Sequence, residues 1–171
     1  MPKRYTPARE ATWKAIAPHV SMMLPGTIQI DDEPHAGWRL SFDLDFDGVR
    51  VSPIAVHVAS NGVAISGTDL RAVAVNEVLA DSLLMTGTAL TGFLAHDEDW
   101  LFSPSDADRA RIRREGPTAE NVEYAAALFL FARAVRTPAS EYVQTTLNLP
   151  KPTAARWLRK AREMGFIDGD D

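Results

Sequence analysis

The 171-residue sequence predicts an α+β protein: an N-terminal domain of antiparallel β-hairpins and helices, then an all-α C-terminal domain of three helices. Two stretches carry that expectation. Trp38 to Phe46 alternates strictly, with Trp38, Leu40, Phe42, Leu44 and Phe46 on one face, and it runs into the hairpin turn Asp47-Gly48. After Pro117 the pattern changes to helical spacing throughout, interrupted only at Thr137-Pro138 and Asn148-Leu149-Pro150.

In chain order, Pro7 to Val20 reads as a short helix, with Pro7 near its start and Trp13, Ile16, Ala17 and Val20 as its apolar stripe. Gly26 to Ile30 reads as a strand. Val49 to Ala59 is the return strand of the 38–46 hairpin, and Asn61-Gly62 turns the chain into a further strand at Val63-Ala64-Ile65. Thr68 is the expected N-cap of a helix through Leu70, Val73, Ala74, Val78 and Leu79. An acidic domain over 1–102 is followed by a linker over 103–116, bounded by Pro104 and Pro117 and partly helical. The linker holds the run Arg109-Ala110-Arg111-Ile112-Arg113-Arg114, read as a solvated stretch, with a phosphate-binding or minor-groove arm as the alternative.

The helical domain covers 117–171. Thr118 caps a helix reaching about Val135, and Thr137-Pro138 supplies an N-cap and a proline at the first position of the next. A last helix runs from Lys151 or Pro152 to Met164, with Gly165 placed for a left-handed cap. At about 100° per residue, Trp157, Leu158, Ala161 and Met164 all fall within about 80° of Ala154 and form the buried face with it. Leu128-Phe129-Leu130-Phe131 is apolar all round, so Leu130 or Phe131 is expected to pack on the first domain or on a second subunit.

Charge is divided unevenly. Residues 1–108 carry 7 Lys/Arg against 15 Asp/Glu, a net of −8; residues 109–171 carry 11 against 8, a net of +3. Lys151 to Arg162 holds five basic residues and no acid. Such asymmetry favours a nucleic-acid partner, because phosphate neutralisation supplies most non-specific affinity. Three helices with a three- or four-residue turn between the last two match a helix-turn-helix plan. Lys151, Thr153, Ala155 and Arg156 are then the candidates for base edges, and Arg159, Lys160 and Arg162 for phosphates.

The stretch from Thr153 to Ile167, Thr-Ala-Ala-Arg-Trp-Leu-Arg-Lys-Ala-Arg-Glu-Met-Gly-Phe-Ile, resembles the C-terminal helix-turn-helix of a group of actinobacterial and actinophage DNA-binding proteins. Thr68 to Val75 is similar to the Leu-Arg-x-Ile-Pro-hydrophobic segment that often precedes it there. The likeness is close over the last third and loose over about 63–84. It implies a DNA-binding regulator or a phage or mobile-element accessory protein. This chain departs from the pattern with Asn148 and Pro150 where the group has Gly and Ser in the turn, and with Ala74 where it has Pro. Pro150 removes a hydroxyl cap and one phosphate contact.

Other chemistries find little support. With no cysteine, disulfides, thiol catalysis and cysteine-held zinc are excluded. Asp43 to Gly48 opens like a calcium loop, but the twelfth position is Ile54 rather than a glutamate. His96-Asp97-Glu98-Asp99 reads as an exposed acidic loop, since no second histidine stands at helical spacing; a metal hydrolase is the remote alternative. His19, His35 and His57 are scattered. Phosphate loop, nucleophile elbow and His-Glu-x-x-His motifs are missing, so neither an enzyme nor a cofactor is expected. The N-terminus has no apolar stretch like that of a signal peptide, and the longest apolar run, Tyr124 to Ala132, falls short of a membrane span; the expected location is the cytoplasm. The expectation is therefore sequence-specific binding of double-stranded DNA in transcriptional or phage regulation, as a possible homodimer. The alternative is an interaction module whose helix-turn-helix contacts a protein.

Overall fold

A computed structural model describes residues 3–18, 20–31, 37–85, 90–91 and 104–168 and is mixed α+β. The chain divides into two compact units: Met1–Lys14 with Met22–Leu90, and Ala15–Ser21 with Thr91–Asp171. His19, His35 and the His96 to Asp99 loop lie outside the described residues.

The first unit is built on a sheet of β1 (Lys3–Ala17), β2 (Val20–Asp31), β3 (Trp38–Phe46) and β4 (Val51–Ser60), in that spatial order, with the two-residue β5 (Leu90–Thr91) also on β2. β2 and β3 run antiparallel, with Ile28 opposite Phe42 and Ile30 opposite Leu40. Successive side chains in a strand alternate faces, so Met22, Leu24, Ile28 and Ile30 share one face with Trp38, Leu40, Phe42 and Leu44, and all eight are buried. The next turns are α1 (Gly67–Ala72) and α2 (Val75–Met85), the latter burying Leu79 and Leu83. Burying each such side chain stabilises the unit by about 1.5–3 kcal/mol.

The other face of the sheet explains the aspartates that open like a calcium loop. Asp43 accepts from Thr27 Oγ1 at 2.7 Å and pairs with His57 Nε2 at 2.9 Å; Asp45 pairs with Lys14 Nζ at 2.5 Å. Asp47 accepts the backbone N–H groups of Val49 and Arg50 and so closes the hairpin turn. These carboxylates are spent on the sheet itself.

Four expectations fail in this unit. Residues 3–17 form a strand, not a helix. Their apolar spacing is compatible with a helix, but pairing along the long β2 wins, helped by the Tyr5 hydroxyl donating to the Met23 carbonyl and by the Lys14–Asp45 pair. As an edge strand, β1 tolerates Pro7, whose nitrogen cannot donate to a ladder. Val63 to Ile65 forms no strand: β4 is the other edge, Ser60 Oγ caps the Val63 carbonyl, and Val63 stays exposed. The N-cap of α1 is Ser66, not Thr68, because Ser66 and Asp69 form a reciprocal capping box. The single helix expected onward breaks at Val73, which is extended, leaving Leu70 exposed while Leu79 is buried.

The second unit contains α3 (Asp106–Glu115), α4 (Ala119–Ala134), α5 (Ala139–Leu147) and α6 (Lys151–Glu163). Residues 106–115 thus form a helix within the stretch expected to be partly helical, with most of its residues exposed. Ser105 and Asp108 form its capping box, and Ile112 is fully buried. Thr118 caps α4 as expected, its side chain accepting from Asn121 N–H. α4 is the central helix, buried on nearly all sides from Asn121 to Ala134. Phe131 is accounted for inside the unit, its ring 6.1 Å from that of Tyr142 on α5. α5 begins at Ala139 with Pro138 as its cap residue, and the Thr137 side chain makes no capping bond.

The last three helices end alike. After α4, Thr137 N–H reaches Ala132 O at 2.8 Å and Arg136 N–H reaches Arg133 O, with Arg136 at φ 61°. After α5, Leu149 N–H reaches Gln144 O at 2.9 Å, with Asn148 at φ 50°. After α6, Phe166 N–H reaches Ala161 O at 2.9 Å, with Gly165 at φ 78°. Each is a Schellman termination, which satisfies the last carbonyls and turns the chain sharply. Asparagine tolerates the left-handed conformation, so the Asn148 departure leaves the α5–α6 turn intact.

Candidate nucleic-acid interface

α5 and α6 are joined by Asn148, Leu149 and Pro150 alone. Leu149 is buried, pinning the turn, and Pro150 sets the entry into α6. Proline at this boundary has no N–H to leave unsatisfied, and Pro152 follows in the first turn, where its fixed φ suits a helix. The helix is therefore started by two prolines rather than by a hydroxyl cap.

Burial divides α6 as its sequence spacing predicts. Ala154, Trp157, Leu158 and Ala161 are buried, whereas Met164 is 40% exposed, because the chain leaves the helix there for the Gly165 turn. The Trp157 indole is 1% exposed, and its N–H has no partner, so this residue serves as apolar volume. Outward stand Lys151, Ala155, Arg156 and Arg159, with Thr153 half-buried. Lys151 and Arg156 make no hydrogen bond or ion pair among the described residues. Arg159 lies 3.9 Å from Glu163 in an exposed pair, an association worth little in water.

Lys160 and Arg162 are differently employed. Lys160 Nζ donates to the Pro117 carbonyl at 2.6 Å, tying α6 to the chain just before α4. The Arg162 guanidinium sits 5.6 Å from the centre of the Phe129 ring, a cation–π contact. Both charges are engaged within the unit, and both side chains are half-buried.

Two further contacts and a groove carry no motif in the sequence. Arg109 Nε donates to the Thr146 carbonyl at 2.9 Å, fastening α3 to the last turn of α5. Asn121, a buried polar residue on α4, donates through Nδ2 to the Gly116 carbonyl at 2.9 Å and so fixes the α3–α4 corner. Finally, Pro138, Ala139, Ser140, Glu141, Gln144 and Lys151 line a shallow surface groove of about 500 Å³ where the start of α5 meets the start of α6. The Arg109–Thr146 bond joins residues 37 apart in sequence, and no local pattern announces it.

The titratable groups of this unit support structure. Burial raises the Tyr124 and Tyr142 phenols above the ordinary tyrosine value, so both stay neutral in the core. Among the described residues no group of three acidic or histidine side chains is arranged to hold a metal ion, and no helix is long and apolar enough to cross a membrane. No protein-family model, curated protein or solved structure matches the chain.

Proposed function

We propose that the protein binds double-stranded DNA with sequence preference, and that α5, the three-residue turn and α6 act as a helix-turn-helix with α6 as the recognition helix. The observation that carries this reading is the outward face of α6, where Lys151 and Arg156 are exposed and unpaired among the described residues while the opposite face is buried. A rigid helix with free guanidinium and ammonium groups near its N-terminal half suits the major groove, where Arg pairs with O6 and N7 of guanine. Lys151, Thr153, Ala155 and Arg156 meet base edges in this reading. Arg159 meets phosphate, and Lys160 and Arg162 hold α6 in place rather than contacting DNA.

The role fits a regulator of transcription or of a phage life cycle, as the resemblance of 153–167 implies. A homodimer would set two copies of α6 on half-sites about one helical turn apart. The β4 edge suits self-association: it bears no Asp, Glu, Lys or Arg, and Ile54 is 68% exposed on it. The test is selection from a random-sequence duplex pool at about 150 mM salt, where phosphate-only contacts fade. An enriched motif that Arg156→Ala no longer enriches is the expected result, and a palindromic motif supports the dimer. Failure to enrich, together with no binding at low salt, would make α6 a protein-contact surface.

A further inference from the structure

The run of arginines on α3 is divided by the structure into two engaged residues and two free ones. Arg109 donates to Thr146 O and pairs with Asp106 at 3.0 Å; Arg111 pairs with Glu115 at 3.1 Å. Arg113 and Arg114 are exposed and make no hydrogen bond or ion pair among the described residues. Neither cation is needed to hold the helix, which already has its capping box and the buried Ile112.

The two ends of α3 fix where these cations stand. Arg109 reaches the last turn of α5, just before the chain enters α6, while Pro117, two residues beyond α3, is reached by Lys160 of α6. Ten helical residues of α3 span about 15 Å, and Lys151 to Lys160 spans about 14 Å, so α3, tied to α5 near its start and to α6 just past its end, runs in the same sense as α6. Arg113 is one turn beyond Arg109 and, at about 100° per residue, only about 40° from it around the axis. It therefore shares the side that Arg109 turns to α5, while Arg114, about 100° further round the axis, stands in the same last turn on a different side.

The geometry points to α3 as a second DNA-contacting element, in which Arg113, with Arg114 as a second cation in the same last turn, binds backbone phosphates of the strand flanking the groove that α6 enters. A major groove is about 12 Å wide, and the Lys160–Pro117 bond keeps the end of α3 within one side chain's reach of α6, so cations there stand near the phosphate wall of a groove that α6 enters. This inference rests on the DNA-binding reading above, and it adds affinity without sequence information, because phosphates are alike at every base pair.

The test is the salt dependence of binding of the full chain to a 20-base-pair duplex of mixed sequence. Each phosphate contact contributes about 0.9 to the slope of log affinity against log salt. Replacing both arginines (Arg113→Ala with Arg114→Ala) is expected to lower the slope by about 1–2 and affinity at 0.1 M salt on the order of tenfold per lost contact. Arg113→Lys with Arg114→Lys, which keeps the charges, is expected to restore most of the slope. An alanine pair with an unchanged slope, while Arg156→Ala still weakens selection of a preferred sequence, would overturn this inference alone. Absence of duplex binding by the unaltered chain at 50 mM salt would overturn it together with the reading it rests on.

Discussion

The two units reach stability by different routes. The first is a sheet whose order depends on partners distant in sequence: Ile28 faces Phe42 and Lys14 reaches Asp45. The second is a set of helices, two of the four with side-chain-capped starts and the last three with Schellman ends, around the buried α4. Their charges diverge as well. Carboxylates on the sheet are engaged by Thr27, His57, Lys14 and turn amides, whereas Lys151, Arg156, Arg113 and Arg114 in the helices have no partner among the described residues. A charge that neutralises its own fold says little about a partner, while one left exposed on a rigid helix does.

Core truncation should break each unit most severely. Phe42→Ala in the sheet and Trp157→Ala in α6 are each expected to cost about 3–5 kcal/mol, read from denaturant unfolding. The Trp157 value should sit near the lower end if its unpartnered indole N–H already offsets part of the gain from burial. A near-neutral result for Phe42→Ala would dismantle the sheet core described above.

Gly26 sharpens the account of β1. A side chain at 26 would collide with the Tyr5 ring, so Gly26→Val must displace that ring and its bond to Met23. The expected cost is about 1–3 kcal/mol, falling to a fraction of that in a Tyr5→Ala background. Equal costs in the two backgrounds would mean that β1 does not lie where the strand pairing puts it.

Smaller effects come from the helix ends. Arg136 holds a left-handed conformation that glycine adopts without strain, so Arg136→Gly should stabilise the helical unit by up to about 1 kcal/mol. A loss of stability would show that Arg136 contributes more through its side chain than its backbone costs.

The smallest effects per residue are electrostatic and belong to the sheet. The hydrogen bond from Arg39 holds Asp31 below the usual carboxylate range; His57 and Thr27 do so for Asp43, and Lys14 and the Phe46 amide for Asp45. Amides of Arg50 and Val49 act on Asp47 in the same direction. A lowered folded-state pKa means stability that is present above the unfolded value near 4 and lost as pH falls through the folded one. Thermal unfolding of the sheet should therefore weaken progressively below about pH 4, and Asp45→Asn should flatten that dependence. Tyr5, pushed up to about 12 by burial and then by Asp45, should stay neutral across this range.

The β3–β4 hairpin and the α4-to-α6 region were legible in the sequence because their signals are local: alternation with Asp47-Gly48, the Thr118 cap, Asn148 and Gly165 at turns. β1 was not, since the spacing of Trp13, Ile16 and Ala17 fits a helix and only β2, encoded downstream, decides for a strand. In the candidate interface, the outward and buried faces of α6 could be read from helical periodicity. The engagement of Lys160 by Pro117 and the anchoring of α3 through Arg109 could not, because each joins residues more than 35 apart in sequence.

The most direct test of the central claim is amide chemical-shift mapping of the isotopically labelled protein during titration with a selected duplex. The account predicts that perturbation concentrates on 151–159 and the adjoining start of α5, that it reaches the end of α3 near Arg113, and that the sheet strands stay unmoved. Perturbation centred on β2 to β4, or spread evenly with no focus on α6, would contradict it.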